Sequence, residues 1–244
     1  MTKPGTTAWL GIVAVAAAAM LAGCEQGQAG KPVTQKTAAP AAKANPAATS
    51  EAIYPAKTSL FALGGKNFVT DWLVLGPITF DAGDFKGDQQ QDATDHEFVT
   101  GEGALDGSQP APAGAKWQAR SFRPGPKGDA GQVDLDGLYG APDYAVAYAV
   151  AWVACAKDLD ALKLCVGSDD YVKVWINGTC VHTYKTERRA SDWDQDVVPN
   201  VSLKKGLNRI VVKCVDIVVD WDFYLRFTDA KDKAMEFRGP AAAK

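Results

Sequence analysis

Histidine is scarce in this chain: His96 and His182 are the only two in 244 residues. There is no His-Glu-x-x-His helix, no Gly-x-Ser-x-Gly elbow and no phosphate-cradling glycine loop, so metal hydrolysis, acyl transfer and nucleotide chemistry lack their usual residues. Carboxylates are plentiful, but their number alone does not make a glycosidase pair. The chain is therefore expected not to be an enzyme. A basic tract is missing too, and with a formal net charge of −3 nothing offers an electrostatic footprint for nucleic acid, which is excluded as a partner. Cys-x-x-Cys is absent, which removes haem attachment and thioredoxin chemistry. No repeat recurs at a fixed period, which excludes a propeller or solenoid.

The longest apolar run, Ala8 to Ala22 behind the positive Lys3, falls short of the roughly 20 residues that cross a bilayer, so it reads as an export signal. It ends in Leu21-Ala22-Gly23-Cys24, which resembles the bacterial lipobox. That resemblance implies cleavage after residue 23 and lipidation of Cys24, with an acyl anchor in the membrane. Each buried methylene contributes about 0.8 kcal/mol, and several chains together hold firmly. Glu25 stands where retention at the inner membrane of Gram-negative bacteria typically shows Asp, which points to the outer membrane. From 24 to 52 the composition is Ala, Pro, Gln, Thr and Lys, too poor in large apolar groups to offset ordering entropy, so a disordered tether is expected. The boundaries are thus a signal peptide at 1–23, a lipidated tether at 24–52, a folded domain at 53–240 and a disordered tail at 241–244.

Within the domain, side chains alternate at a period of two, the signature of strands. Trp221, Phe223, Leu225 and Phe227 share one face, with Asp222, Tyr224 and Arg226 on the other. Ile210, Val212 and Cys214 likewise oppose Arg209, Val211 and Lys213, where the basic groups mark a wet face. Asn177-Gly178 supplies the positive φ values of a two-residue type I′ hairpin over Tyr171–Tyr184. That loop sets Val174 opposite Val181, and Trp175 opposite Cys180. Further strands are expected at Asp71–Leu75, Trp117–Phe122, Val133–Leu138, Ala145–Ala154 and Ala161–Val166. The segment Thr79–Ala115 is expected to run as an irregular excursion across one end. The sum is an all-β sandwich.

Three stretches resemble the galactose-binding-like jelly roll related to carbohydrate-binding modules: Asp71-Trp72-Leu73-Val74-Leu75-Gly76-Pro77, Val166 to Gly178, and Gly206 to Lys213. The resemblance implies a jelly-roll β-sandwich of that type, and implies a fold more firmly than an activity. Arg188, Asp194 and Asp196 fall where the family often has an arginine and spaced acids. The central stretch also resembles PA14-type domains, whose adjacent aspartates help hold calcium and sugar; here Tyr171 follows the pair in place of the usual glycine.

Two adjacent carboxylates, Asp169 and Asp170, offer hard oxygen ligands for a structural calcium, against a plain role as turn caps. Asp192, Asp194 and Asp196 have the spacing of a calcium loop's first positions, but Val197 and Leu203 occupy the glycine and glutamate positions, which excludes an EF-hand. Trp193 in a polar loop, and Trp175 on the hairpin, are candidate platforms for a sugar's apolar face. Tyr184, Arg188 and Asp194 are the candidate polar contacts. Cys155, Cys165, Cys180 and Cys214 are even in number for an oxidising compartment, and their pairing is left open, with free buried thiols as the alternative. The functional expectation is an envelope-anchored binding lipoprotein that recognises a polysaccharide; the alternative is an adaptor that holds another envelope protein.

Overall fold

The computed structural model describes residues 67–86, 90–122 and 131–237. Cys24, the signal, the tether and the C-terminal tail lie outside these residues. The strands are β1 (Asp71–Thr79), β2 (Lys116–Ser121), β3 (Val133–Asp134), β4 (Ala145–Cys155), β5 (Leu159–Asp169), β6 (Tyr171–Ile176), β7 (Thr179–Tyr184), β8 (Asp196–Leu203), β9 (Gly206–Asp216) and β10 (Asp222–Thr228). They form two antiparallel sheets: six strands in the order β2-β1-β4-β9-β6-β7, and four in the order β3-β10-β5-β8. The protein is a β-sandwich.

Strand β4 shows why the sheets face one another. Its inward positions are small, Ala145, Ala147, Ala149 and Ala151, and they pack with Phe223, Leu225 and Phe227 of β10, Leu164 and Val166 of β5, and Val174 and Val212. Small against large across the interface lets the layers interdigitate. The outward positions of β4 are large, Val146, Tyr148, Val150 and Trp152, and these are buried as well. The six-stranded sheet therefore needs a second cover, and a continuous apolar run is the sequence form of a strand buried on both faces. Residues 80–86 and 90–115 supply that cover, with 3₁₀ turns at Gln91–Thr94 and Glu102–Ala104 and Ala93, Val99 and Leu105 set into the outer face of the sheet. The excursion lies on that face and not across an end as expected.

Two further expectations are corrected. Val133–Leu138 is not a continuous strand: Asp134 accepts a hydrogen bond from the Gly137 amide at 2.7 Å and starts the short helix α1 (Leu135–Tyr139), which Gly140 ends at φ 81°. Side-chain capping outcompetes the ladder there. The hairpin turns at Asn177 and Gly178 as expected, with φ of 51° and 86°, and Trp175 faces Cys180, but a register shift sets Val174 opposite His182 rather than Val181. Strand β8 begins at the last of the spaced acids, Asp196. Its Pro199, and Asn200 at φ 61°, break the alternation, which an edge strand tolerates.

The face of β9 expected to be wet is covered, and so is the polar face of β10. Arg226 and Tyr224 on β10 are 9% and 5% exposed, and Lys213 on β9 is 0% exposed. The four cysteines are all free thiols, with Cys180 exposed and the others buried.

Candidate functional site

The chain crosses from the four-stranded to the six-stranded sheet between β5 and β6, and the crossing is made by Asp169 and Asp170, joined by a cis peptide bond. The Asp170 amide donates to the Val215 carbonyl at 3.1 Å. This brings the pair beside Asp216 at the end of β9. One carboxylate oxygen from each of Asp169, Asp170 and Asp216 lies within 4.8 Å of the others. All three residues are buried, at 6%, 3% and 2% exposure.

Burying three like charges is costly unless a partner balances them. Asp170 has partial compensation: its Oδ2 accepts from the Ile217 amide at 2.9 Å, and the Arg189 amide and the Arg188 charge also act on it. Asp216 does not, for its Oδ1 is buried with no hydrogen-bond partner. Burial first, then the neighbouring Asp170 carboxylate, pushes Asp169 and Asp216 up to about 8. Burial pushes Asp170 upward too. Asp222 and Asp220 add to the negative field at Asp169, and Asp136 and Asp143 to that at Asp216. Hard, converging oxygens with one unsatisfied lone-pair set match what calcium requires. The cluster can hold a divalent cation such as calcium.

Residues 185–195, between β7 and β8, roof this crossing. Arg189 anchors them: its guanidinium donates to both Asp196 oxygens, at 3.1 and 2.5 Å, and to Ser168 Oγ at 3.1 Å, while stacking 3.4 Å from the centre of the Tyr184 ring. Burial alone would raise Asp196, but bonds from His182 and Arg189 outweigh it and hold the carboxyl down at about 2. Beneath this segment sits Gly167, where a Cβ would run into the Asp192 carbonyl oxygen. Ser191 bonds to Asp222, and Asp194 forms an ion pair with Arg226.

The expected ligand residues are not gathered into one groove. Arg188 is exposed, and its charge reaches Asp170. Trp193 is half-buried and packs on Phe68 at 5.7 Å, on the outer face of the four-stranded sheet where Asp194 meets Arg226. Trp175 is 6% exposed beneath the excursion, so close to Gly103 that a Cβ there would lie 2.6 Å from its ring. Tyr184 is half-buried under Arg189. Asp216 was missed in the sequence. Its signal is a lone acid inside the apolar run Val215 to Val219, a position that a strand reading alone leaves unexplained. A separate cleft of about 530 Å³ opens between the edges of β7 and β8, lined by Ile176, Val181, Val198 and Val201 among others, and none of the three aspartates borders it.

No family model matches the chain, and no curated protein matches it. Among solved structures it shows distant similarity to the PA14 domain of the MpAFP antifreeze protein, with 17% identity over 70% of this chain and 69% of that one, at a TM-score of 0.31. It is also similar to a GH31 alpha-xylosidase from Xanthomonas citri, at 13% identity and a TM-score of 0.28, over 52% of this chain and 14% of the xylosidase.

Proposed function

We propose that the chain is a non-catalytic glycan-binding module that works through calcium and is held at a bacterial envelope by lipidated Cys24. The observation that carries the reading is the buried Asp216 Oδ1, unpartnered and beside Asp169 and Asp170. A buried carboxylate oxygen without a partner calls for a water, a proton or an ion, and the two further carboxylates converging on this one favour the ion. Asp169, Asp170 and Asp216 would hold the ion; bound there, calcium supplies coordination positions that neighbouring sugar hydroxyls fill. The chain's own part is to fix the ligands. The Ile217 amide orients Asp170, and the Arg189 clasp holds residues 185–195 over the crossing. Arg188, exposed at the rim, offers donors to a sugar oxygen.

Calorimetric titration with calcium tests the first half: micromolar to millimolar binding is expected, at the affinities of extracellular calcium modules, and Asp216→Asn should remove it. A glycan array probed with and without EGTA tests the second, with chelator-sensitive binding expected. Calcium binding without any glycan would turn the reading towards an adaptor, whose partner crosslinking in cells would recover. Fatty-acid labelling that survives Cys24→Ser would overturn the anchor.

A further inference from the structure

Beyond the carboxylates, one residue at this end of the sandwich has a conformation that packing does not explain. Val219, in the turn between β9 and β10, has φ of 87°. This region suits glycine or asparagine and disfavours a β-branched side chain. Such a conformation is ordinarily held by what the side chain packs against, yet Val219 is 74% exposed, more than Val197 at 50% or Leu207 at 41%. The backbone is pinned from both sides of the cluster: the Ile217 amide donates to Asp170 Oδ2 at 2.9 Å, and the Val219 amide to Asp143 Oδ1 at 3.4 Å. The turn thus sets an isopropyl group in water three residues beyond Asp216. Strain that the surrounding hydrogen bonds enforce while the side chain packs against little points to function.

The charge around the turn narrows what that group meets. Asp136 and Asp143 act on Asp216, Asp220 and Asp222 on Asp169, and Asp134 on Asp222. One divalent ion and the neighbouring Arg188 neutralise three charges against the eight carboxylates Asp134, Asp136, Asp143, Asp169, Asp170, Asp216, Asp220 and Asp222, so this end stays negative after loading and repels uronates, sulfated glycans and anionic headgroups. Resting on the calcium-dependent reading above, we infer that the site takes uncharged glycans, whose apolar C–H face lies on Val219 while their hydroxyls face the carboxylate cluster.

The full mature chain in detergent tests this by affinity electrophoresis in gels containing dextran, galactomannan, alginate or polygalacturonate, with terbium luminescence reporting the metal. Wild type should be retarded by a neutral polysaccharide and not by an acidic one. Val219→Gly should weaken that retardation about tenfold, the scale of a lost apolar contact, while terbium binding is unchanged and the melting temperature is equal or higher, since glycine accepts the positive φ. Asp143→Asn with Asp220→Asn should let polygalacturonate bind. Undiminished retardation of Val219→Gly, or retardation of wild type by alginate, overturns the inference and leaves calcium-dependent binding standing. Terbium binding with no retardation by any of the four overturns both.

Discussion

Lys213 is the residue on which the second layer of this fold turns. Its ammonium is fully buried and donates to the carbonyls of Thr94 at 2.9 Å and His96 at 2.5 Å and to Glu102 Oε2 at 3.2 Å, while Tyr148 OH donates to the same carboxylate oxygen at 2.7 Å. Burial pulls Lys213 down to about 8, with Glu102 opposing. Replacing it by Met leaves buried Glu102 with Lys173, 3.8 Å away, as its remaining cation, a change that costs up to about 3–5 kcal/mol. Urea denaturation of Lys213→Met should show a loss of that size, and Lys213→Met with Glu102→Gln should recover part of it. Because the folded pKa lies below the unfolded one, the unfolded chain binds more protons between about pH 8 and 10.5. The Lys213 contribution therefore strengthens the fold as pH rises through that window and weakens it as pH falls back.

At the scale of elements, the fold is two sheets with a strap on each outer face. One strap is the excursion formed by residues 80–86 and 90–115; the other is residues 185–195, lying on β5 and β10. The second depends on a glycine for closeness: Gly167→Ala would set a methyl group against the Asp192 backbone, which cannot swing aside as a side-chain tip can. A loss of about 1–3 kcal/mol is expected from such overpacking, with Trp193 fluorescence shifting as its contact with Phe68 loosens. Arg189→Met should lift the same strap by another route, leaving Asp196 with only His182 of its two side-chain partners. Either variant should weaken calcium binding without removing a carboxylate, a result that calorimetry can check.

At the scale of the whole molecule the second strap covers one acidic end, and the charge gathered there is visible in pH. Asp169 and Asp216 move from an ordinary 3.8 to about 8 on folding. A raised folded pKa gives stability that is complete below the unfolded value and is lost as pH rises through the folded one. Calcium-free protein should therefore lose melting temperature from about pH 4 to 8, and calcium should restore it most at pH 8, where protons no longer neutralise the cluster. A thermal-shift series in EGTA and in calcium checks this; a flat profile in EGTA would contradict the electrostatics derived for these carboxylates.

By itself the sequence determined the layers. Alternation in β9 and β10, the apolar run of β4 and the Asn177-Gly178 turn each follow from local backbone geometry and side-chain period, which need no knowledge of distant residues. It also singled out Asp169 and Asp170, because two adjacent acids at a strand boundary are conspicuous. Only tertiary structure decided which polar faces are wet: Lys213 and Arg226 look like solvent residues in one dimension, and are buried because straps from residues 90–115 and 185–195 fold over them. It decided equally that Asp216, from the end of another strand, completes the cluster. Side-chain period is set by neighbours along the chain, whereas burial and charge balance are set by groups such as Asp194, 32 residues from Arg226, and Thr94, 119 from Lys213, which meet only when the sheets stack.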